Sequence, residues 1–304
     1  MRILSIGEIL WDVLKEGEFL GGAPLNFAVS AQRLGNTVAL LSALGADARG
    51  ALAASSIDKL GIARDLVQQV SNVGTGTAIV TTDAEGNATF SIQRPAAFDF
   101  VALNESFLSE ISVLRPDWIY FGTLAQTTDE GQDRLKRLLD VNPGARCFYD
   151  INLRDGHWSL DLVQRLSGVA SVVKLNEAEA ERLFGLANGS QHFSIETFCR
   201  TWSSTYGGEI ICITLGDKGC AVWQHGRAQV FGGFPVKVVD TVGAGDAFAA
   251  GFLHGYQDGW PLEKTASFAN ALGAIVASRA GGTPFWTIDE CLRLMTTSPA
   301  AGQL

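Results

Sequence analysis

Basic residues are scarce in this chain: 23 Lys and Arg stand against 32 Asp and Glu, a formal charge of −9. A surface built to coat nucleic acid or an anionic membrane needs the opposite balance, so neither is an expected partner; a locally basic pocket stays compatible with any net charge. Cysteine is sparse and scattered (Cys147, Cys199, Cys212, Cys220, Cys291), with no C-x-x-C pair. That pattern reads as reduced core thiols and excludes a disulfide framework. The four histidines, His157, His192, His225 and His254, have no metal-like spacing. No apolar run reaches the roughly 20 residues that span a bilayer. The start, MRILSIGEIL, is broken by Glu8 and has neither the basic lead-in nor the small-residue cleavage site of a secretory leader. The expected location is the cytoplasm. Two nucleotide fingerprints are also missing. No G-x-G-x-x-G follows the first apolar run, where a dinucleotide oxidoreductase would carry it, and no G-x-x-x-x-G-K-[ST] loop occurs.

What is present is enough apolar sequence, 47% of 304 residues, for one large α/β domain or a core with a small appendage. Short apolar or β-branched runs at 3–6, 38–44, 117–122, 146–151, 171–175 and 209–215 alternate with helical patterns at 24–34, 49–60, 104–114, 129–140, 160–168, 177–184 and 194–205. This rhythm predicts a Rossmann-like, mostly parallel sheet flanked by helices. Two stretches interrupt it. Residues 11–22 look extended, and 77–82 and 88–93 flank the turn cluster DAEGN, a β-hairpin signature. We expect one small β-sheet lid from 11–23 and 73–100 on a core of 1–10, 24–72 and 101–304. A further hairpin is expected over 219–231.

The stretch DTVGAGDAFAAGFLHG, residues 240–255, asks for a chemical reading. Its lead-in, 235–239, reads as a strand, and the part after the glycines reads as a helix. Gly243-Ala244-Gly245 then sits at a helix N-terminus, where the first amides lack intrahelical partners and the dipole is positive. Side chains without bulk let an anion reach those amides. Asp246 is an odd neighbour for a bound phosphate unless its task is to take a proton from an attacking hydroxyl. Read alone, it is equally a first-turn acid complementing the dipole.

DTVGAGDAFAAGFL resembles the second signature of the ribokinase-like, or PfkB-type, carbohydrate kinases, and GGAPLNFAVSAQRLG (21–35) resembles the first, in a form most similar to fructokinases. The resemblance covers essentially the whole chain. It implies ATP-dependent phosphorylation of a sugar hydroxyl, with Asp246 as general base and Gly243, Ala244 and Gly245 as the anion hole. It also implies that Asp12, Gly22 and Asn26 contact the sugar. KLNEAEAERLFG resembles the family's N-x-x-E motif, which gives Asn176 near the phosphates and Glu179 ordering Mg²⁺ through water. TLGDKG resembles the nucleotide loop, giving Thr214, Gly216 and Gly219, and Asn270 matches a position near adenine. DINLRDGHW resembles the D-x-N-x-R stretch of fructokinases and 2-keto-3-deoxygluconate kinases, so Arg154 is expected at sugar or nucleotide. Arg94 is expected to face the sugar, although Gln93 replaces the usual aromatic before it. Asp240 and Val242 match positions that bind a monovalent cation such as K⁺. The expected partners are a small sugar and MgATP, with a homodimer formed through the lid. Fructose leads as substrate, followed by 2-keto-3-deoxygluconate and ribose; a nucleoside kinase and a non-catalytic sensor on the same fold remain open alternatives.

Overall fold

The computed structural model describes residues 1–14, 17–82, 88–189 and 191–297. Its contacts divide the chain into two units. The first comprises Met1–Ala145, Arg154–Trp158 and Gly281–Thr283, and the second Arg146–Leu153, Ser159–Ala280 and the chain from Pro284.

The first unit runs β1 (Arg2–Ile6), β2 (Leu10–Leu14), β3 (Gly17–Gly21), α1 (Ala23–Arg33), β4 (Thr37–Gly45), α2 (Ala48–Lys59) and β5 (Val67–Val70), then β6 (Gly76–Thr82), β7 (Ala88–Gln93), α3 (Glu105–Leu114), β8 (Trp118–Gly122) and α4 (Asp129–Val141). Strands β8, β1, β4 and β5 lie side by side in that order and are parallel. Parallel strands are covered on both faces and so read as continuous apolar runs; all of Trp118–Gly122 is buried. Helix α1 starts with Pro24 in its first turn, where a missing amide costs nothing. It lays Phe27 against Tyr120 of β8, ring centroids 3.7 Å apart.

Strands β3, β2, β6 and β7 form a separate sheet in that order. Asp12, Ala78 and Ile92 stand opposite one another across it and therefore share a face. The same face carries Leu10, and Leu10, Ala78 and Ile92 cluster with Ala96, Phe98 and Leu124. The small second sheet is thus present and drawn from the two segments that broke the sequence rhythm. The turn expected over 83–87 lies outside the described residues.

Asp47 ties three pieces of this unit together. It caps α2 by accepting from the Gly50 amide at 2.7 Å, and it accepts from the Thr75 amide (2.8 Å) and hydroxyl (2.7 Å) ahead of β6. Burial pushes its carboxyl up, but the Thr75 and Gly50 amides outweigh that and hold it below the ordinary range. A lowered carboxylate pKa contributes stability above pH about 4 and loses it as pH falls through the folded-state value. Asp47→Ala should therefore cost about 1–2 kcal/mol at pH 7 by urea unfolding, and the gap to wild type should narrow at pH 3.

The second unit runs β9 (Arg146–Asp150), α5 (Leu160–Ser167), β10 (Val172–Asn176), α6 (Glu177–Asn188), α7 (Ile195–Tyr206) and β11 (Ile210–Thr214), then β12 (Cys220–Gln224), β13 (Arg227–Phe231), α8 (Ala244–Gln257), α9 (Leu262–Ala277) and α10 (Ile288–Met295). Strands β9, β10 and β11 are parallel neighbours, extended by the antiparallel pair β12 and β13, the hairpin expected from sequence. The strand expected over 235–239 is absent. Its alternating valines find no ladder partner. Instead the Val239 and Asp240 amides bond the Ala277 carbonyl at the end of α9 (2.9 and 3.2 Å), and Val238 and Val239 are exposed. Sequence patterning also misses β5, whose VQQV lacks apolar alternation, and α10.

All five cysteines are buried and unbridged. Burial pushes the Cys147, Cys199, Cys220 and Cys291 thiols up to about 12, as suits core thiols. No described helix is long and apolar enough to cross a membrane.

Candidate active site

In the second unit, α8 begins where the sequence places it, but it follows a loop and not a strand. Gly243 is its N-cap, at φ 77°, a left-handed conformation that glycine adopts without strain. The loop before it is closed by the Asp240 carboxylate, which accepts from the Val242 amide at 3.0 Å. The Ala244 amide bonds the Thr241 carbonyl (3.2 Å), and the first helical bond runs from Ala247 to the Gly243 carbonyl (2.9 Å). The Gly245 and Asp246 amides fall in the first turn, where a helix offers no acceptor of its own. Gly243, Ala244 and Gly245 are half-buried, while the Asp246 side chain is buried. An acid buried in the first helical turn is a different object from a solvated dipole partner.

Beside this turn lies a cavity of about 400 Å³ lined by Thr214, Gly216, Gly219 and Asn270, all expected at the nucleotide, together with Ala244 and Gly245 of the expected anion hole. Phe234, Pro235, Ala274 and Ala277 supply an apolar wall, and such a mix of apolar lining and few polar groups suits a flat heterocycle. Gly219 has φ 102°, and a Cβ there would stand 2.1 Å from the Phe231 carbonyl, so the loop after β11 packs backbone against backbone. Asn270 donates to the Phe231 and Gly232 carbonyls (3.2 and 3.0 Å), pinning the end of β13 at the cavity rim.

Asn176 and Glu179 do not line that cavity; they cap α6 reciprocally. Each side chain accepts from the other's amide at 2.8 Å, the capping-box arrangement. Glu179 also accepts from the Leu153 amide at 2.7 Å. Burial holds its carboxyl above the usual range against the pull of these amides and of Lys174.

Lys174 is the residue that sequence reading missed. It sits on β10 directly opposite Asp150 of β9. Its ammonium donates to both Asp150 oxygens, at 3.0 and 2.9 Å, and both side chains are buried. A Cβ on Gly245 would stand 3.1 Å from Lys174 Nζ, so a positive charge lies directly under the first turn of α8. The signal available in sequence was a lone ionisable residue inside the apolar run SVVKL.

In the first unit, Asp12, Gly22 and Asn26 are brought together. Asp12 is buried on β2, between β3 and β6, with Oδ2 only 2.6 Å from where a Gly21 Cβ would be. Gly22, at φ 112° and with the Glu8 carbonyl 2.3 Å from any Cβ, admits no side chain. Asn26 lies one turn into α1, its amide bonded to the Gly22 carbonyl (2.9 Å), and its buried side chain packs against Gly282. It is not a helix cap. Arg94 follows β7 and is largely committed within this unit. Its Nε and Nη2 pair with the two Asp99 oxygens, and Nη1 donates to the Leu124 carbonyl (3.0 Å) and to the Thr127 hydroxyl. Four of the five guanidinium N–H donors are engaged. Arg154 is half-buried in the turn after β9, its carbonyl accepting from the His157 amide at 2.9 Å.

The chain as a whole is similar to known proteins. A fructokinase of rice (Oryza sativa subsp. japonica) is 28% identical over 293 residues, covering 91% of this chain and 88% of its own length. The crystal structure of an ATP-bound fructokinase from Xylella fastidiosa superposes with a TM-score of 0.84 at 23% identity, over 97% of this chain and 98% of that one. A 2-dehydro-3-deoxygluconokinase from Thermotoga maritima gives 0.83 at 20% identity, over 98% of this chain and 100% of that one. The model of the pfkB family carbohydrate kinases matches residues 10–288, from the Asp12 strand through the Asp246 helix and on to the start of α10. The chain belongs to the PfkB family of carbohydrate kinases and is a sugar phosphotransferase.

Proposed function

We propose that this chain is a fructokinase that transfers the γ-phosphoryl group of ATP to a hydroxyl of D-fructose, giving fructose 6-phosphate. The observation that carries this reading is the buried Asp246 in the first turn of α8, beside a cavity lined by the TLGDKG loop. The sugar oxygen forms the new O–P bond, the bond from the γ-phosphorus to ADP breaks, and the hydroxyl proton passes to Asp246. The Gly243, Ala244 and Gly245 backbone at the positive end of α8 stabilises the charge that develops on the transferring group. Thr214, Gly216, Gly219 and Asn270 hold the nucleotide, with Asn176 near its phosphates. The clustering of Asp12, Gly22 and Asn26 supports a polyol contact: a carboxylate to accept, an amide to do both, and a bare backbone between them. Arg94 adds at most one N–H to it.

Mg²⁺ supplies charge neutralisation at the phosphates when bound. Among the described residues no cluster of acids, histidines and cysteines could hold a metal ion alone. That suits a hard cation carried by nucleotide phosphates and water, with the lone pairs left on Glu179 accepting from one such water. Asp240 through its carboxylate and Val242 through its carbonyl serve a monovalent cation such as K⁺. The β-sheet of 11–23 and 73–100 acts as a lid that excludes water and joins two copies of the chain into a dimer, working in the cytoplasm.

The likeness to the rice fructokinase supports fructose as the acceptor. The likeness in fold to 2-dehydro-3-deoxygluconokinase keeps the keto acid as the second reading. An acid substrate would have to draw on Arg154, because Asp99 already neutralises Arg94. Measuring kcat/KM with MgATP for fructose, 2-keto-3-deoxygluconate, ribose, tagatose and adenosine tests the choice. Fructose should exceed every other by at least tenfold; preference for the keto acid would move the assignment to the second reading, and preference for adenosine would end both.

A further inference from the structure

A buried ammonium is costly, and burying its counter-ion as well recovers that cost only when the geometry is good. Lys174 and Asp150 stand in register near the carboxyl ends of two buried parallel strands, where two apolar residues would serve folding as well. Their position suggests why charge is kept. Lys174 Nζ lies 3.1 Å from the site of a Gly245 Cβ, and the next residue is Asp246. Asp150 accepts from the ammonium through both oxygens and fixes its place. Any side chain at 245 would meet this ammonium, so Gly245 serves the close approach of charge to helix as well as the reach of a phosphate to its amide. Burial favours neutral Lys174, but the charges of Asp150, Asp246 and Glu179 outweigh it, so the side chain keeps its proton.

We propose that Lys174 is a positioning residue for phosphoryl transfer: clamped by Asp150, its ammonium supports the first turn of α8 from beneath and so holds Asp246, the next residue along that turn, in place as the base. This rests on the reading of Asp246 as general base. The pair is spatially built for the task because its charge is fixed by the sheet and not by a flexible loop. It acts on kcat more than on KM, because it fixes the turn that carries the base and makes no contact with substrate itself.

Lys174→Met alone strands the buried Asp150 charge and tests folding as much as chemistry. The deciding variant is Lys174→Gln with Asp150→Asn, which keeps a hydrogen-bonding pair and removes both charges. It should unfold within a few degrees of wild type and bind ATP and fructose with KM values within threefold. Its kcat should fall by about 10², the order of loss seen when one preorganised electrostatic group is removed. Placed on Asp246→Asn, the same pair should cost less than threefold more, because two residues acting through one group are not additive. A folded double variant with kcat within threefold of wild type overturns the proposal. So does a full additional 10² loss in the Asp246→Asn background. If Asp246→Asn itself keeps near-wild-type turnover, the general-base reading fails, and that result is separate from either outcome for Lys174.

Discussion

Asp246→Asn should cut turnover by about 10²–10⁴ while ATP and sugar binding stay near wild type. Asparagine has nearly the shape of aspartate but cannot take the hydroxyl proton. On the proposed reading the affinity for ATP should hold or rise, since the substitution removes a charge proposed to face the γ-phosphate. The competing account makes Asp246 only a partner of the α8 dipole, and its forecast is different: about 0.3–1 kcal/mol of lost stability and little change in rate. Thermal midpoint, fructose affinity and turnover measured on one preparation separate the two. The Asp246 side chain is buried in the first turn of α8, and asparagine keeps its shape, so a loss confined to kcat is the expected signature.

Arg94→Ala should act mainly on stability. The Arg94 and Asp99 side chains are 10% and 7% exposed, and Asp99 also accepts from the Ala96 amide at 3.0 Å. Truncating Arg94 leaves that carboxylate buried without its cation, and breaking such a pair typically costs about 3–5 kcal/mol. It also takes one donor each from the Leu124 carbonyl and the Thr127 hydroxyl beyond the end of β8, which stay bonded to each other at 2.9 Å. The urea midpoint should drop by the matching amount. The fructose KM of the protein that remains folded should change less than threefold. A dominant role in holding the sugar would give the reverse, a raised KM with stability unchanged. Arg94→Ala combined with Asp99→Ala should recover part of the loss, because the stranded charge goes with its partner.

Which of these features were legible in sequence follows from how local each one is. The small residues at the start of α8, the helix behind them and the acid in its first turn depend on neighbours within one turn, and the string GAGDAFAAG announces them; that the acid is buried it does not announce. The α/β alternation was legible because parallel strands are buried on both faces. The second sheet was legible as an interruption of that rhythm. What failed depends on distant partners. The valines of 235–239 alternate like a strand, but a strand needs a neighbour, and this segment instead lies across the end of α9. Lys174 and Asp150 are 24 residues apart and meet only through the register of β10 on β9. The expectation that Arg94 faces the sugar is untested, but its partners Asp99, Leu124 and Thr127, invisible in sequence, appear once the loop after β8 is placed. Asn176 and Glu179 show both sides at once. Their spacing marks a helix start in any protein, and here they do form a capping box, so the metal-ordering role proposed for Glu179 rests on the oxygen lone pairs left over.

The most direct test of the central claim is product formation by the wild-type chain. Incubated with MgATP and fructose, it should release ADP and form phosphorylated fructose in a one-to-one ratio, both measured by mass spectrometry and each at least a hundredfold faster than ADP release without sugar. ADP release that ignores fructose, or the absence of any phosphorylated sugar from an enzyme that binds ATP, would contradict it.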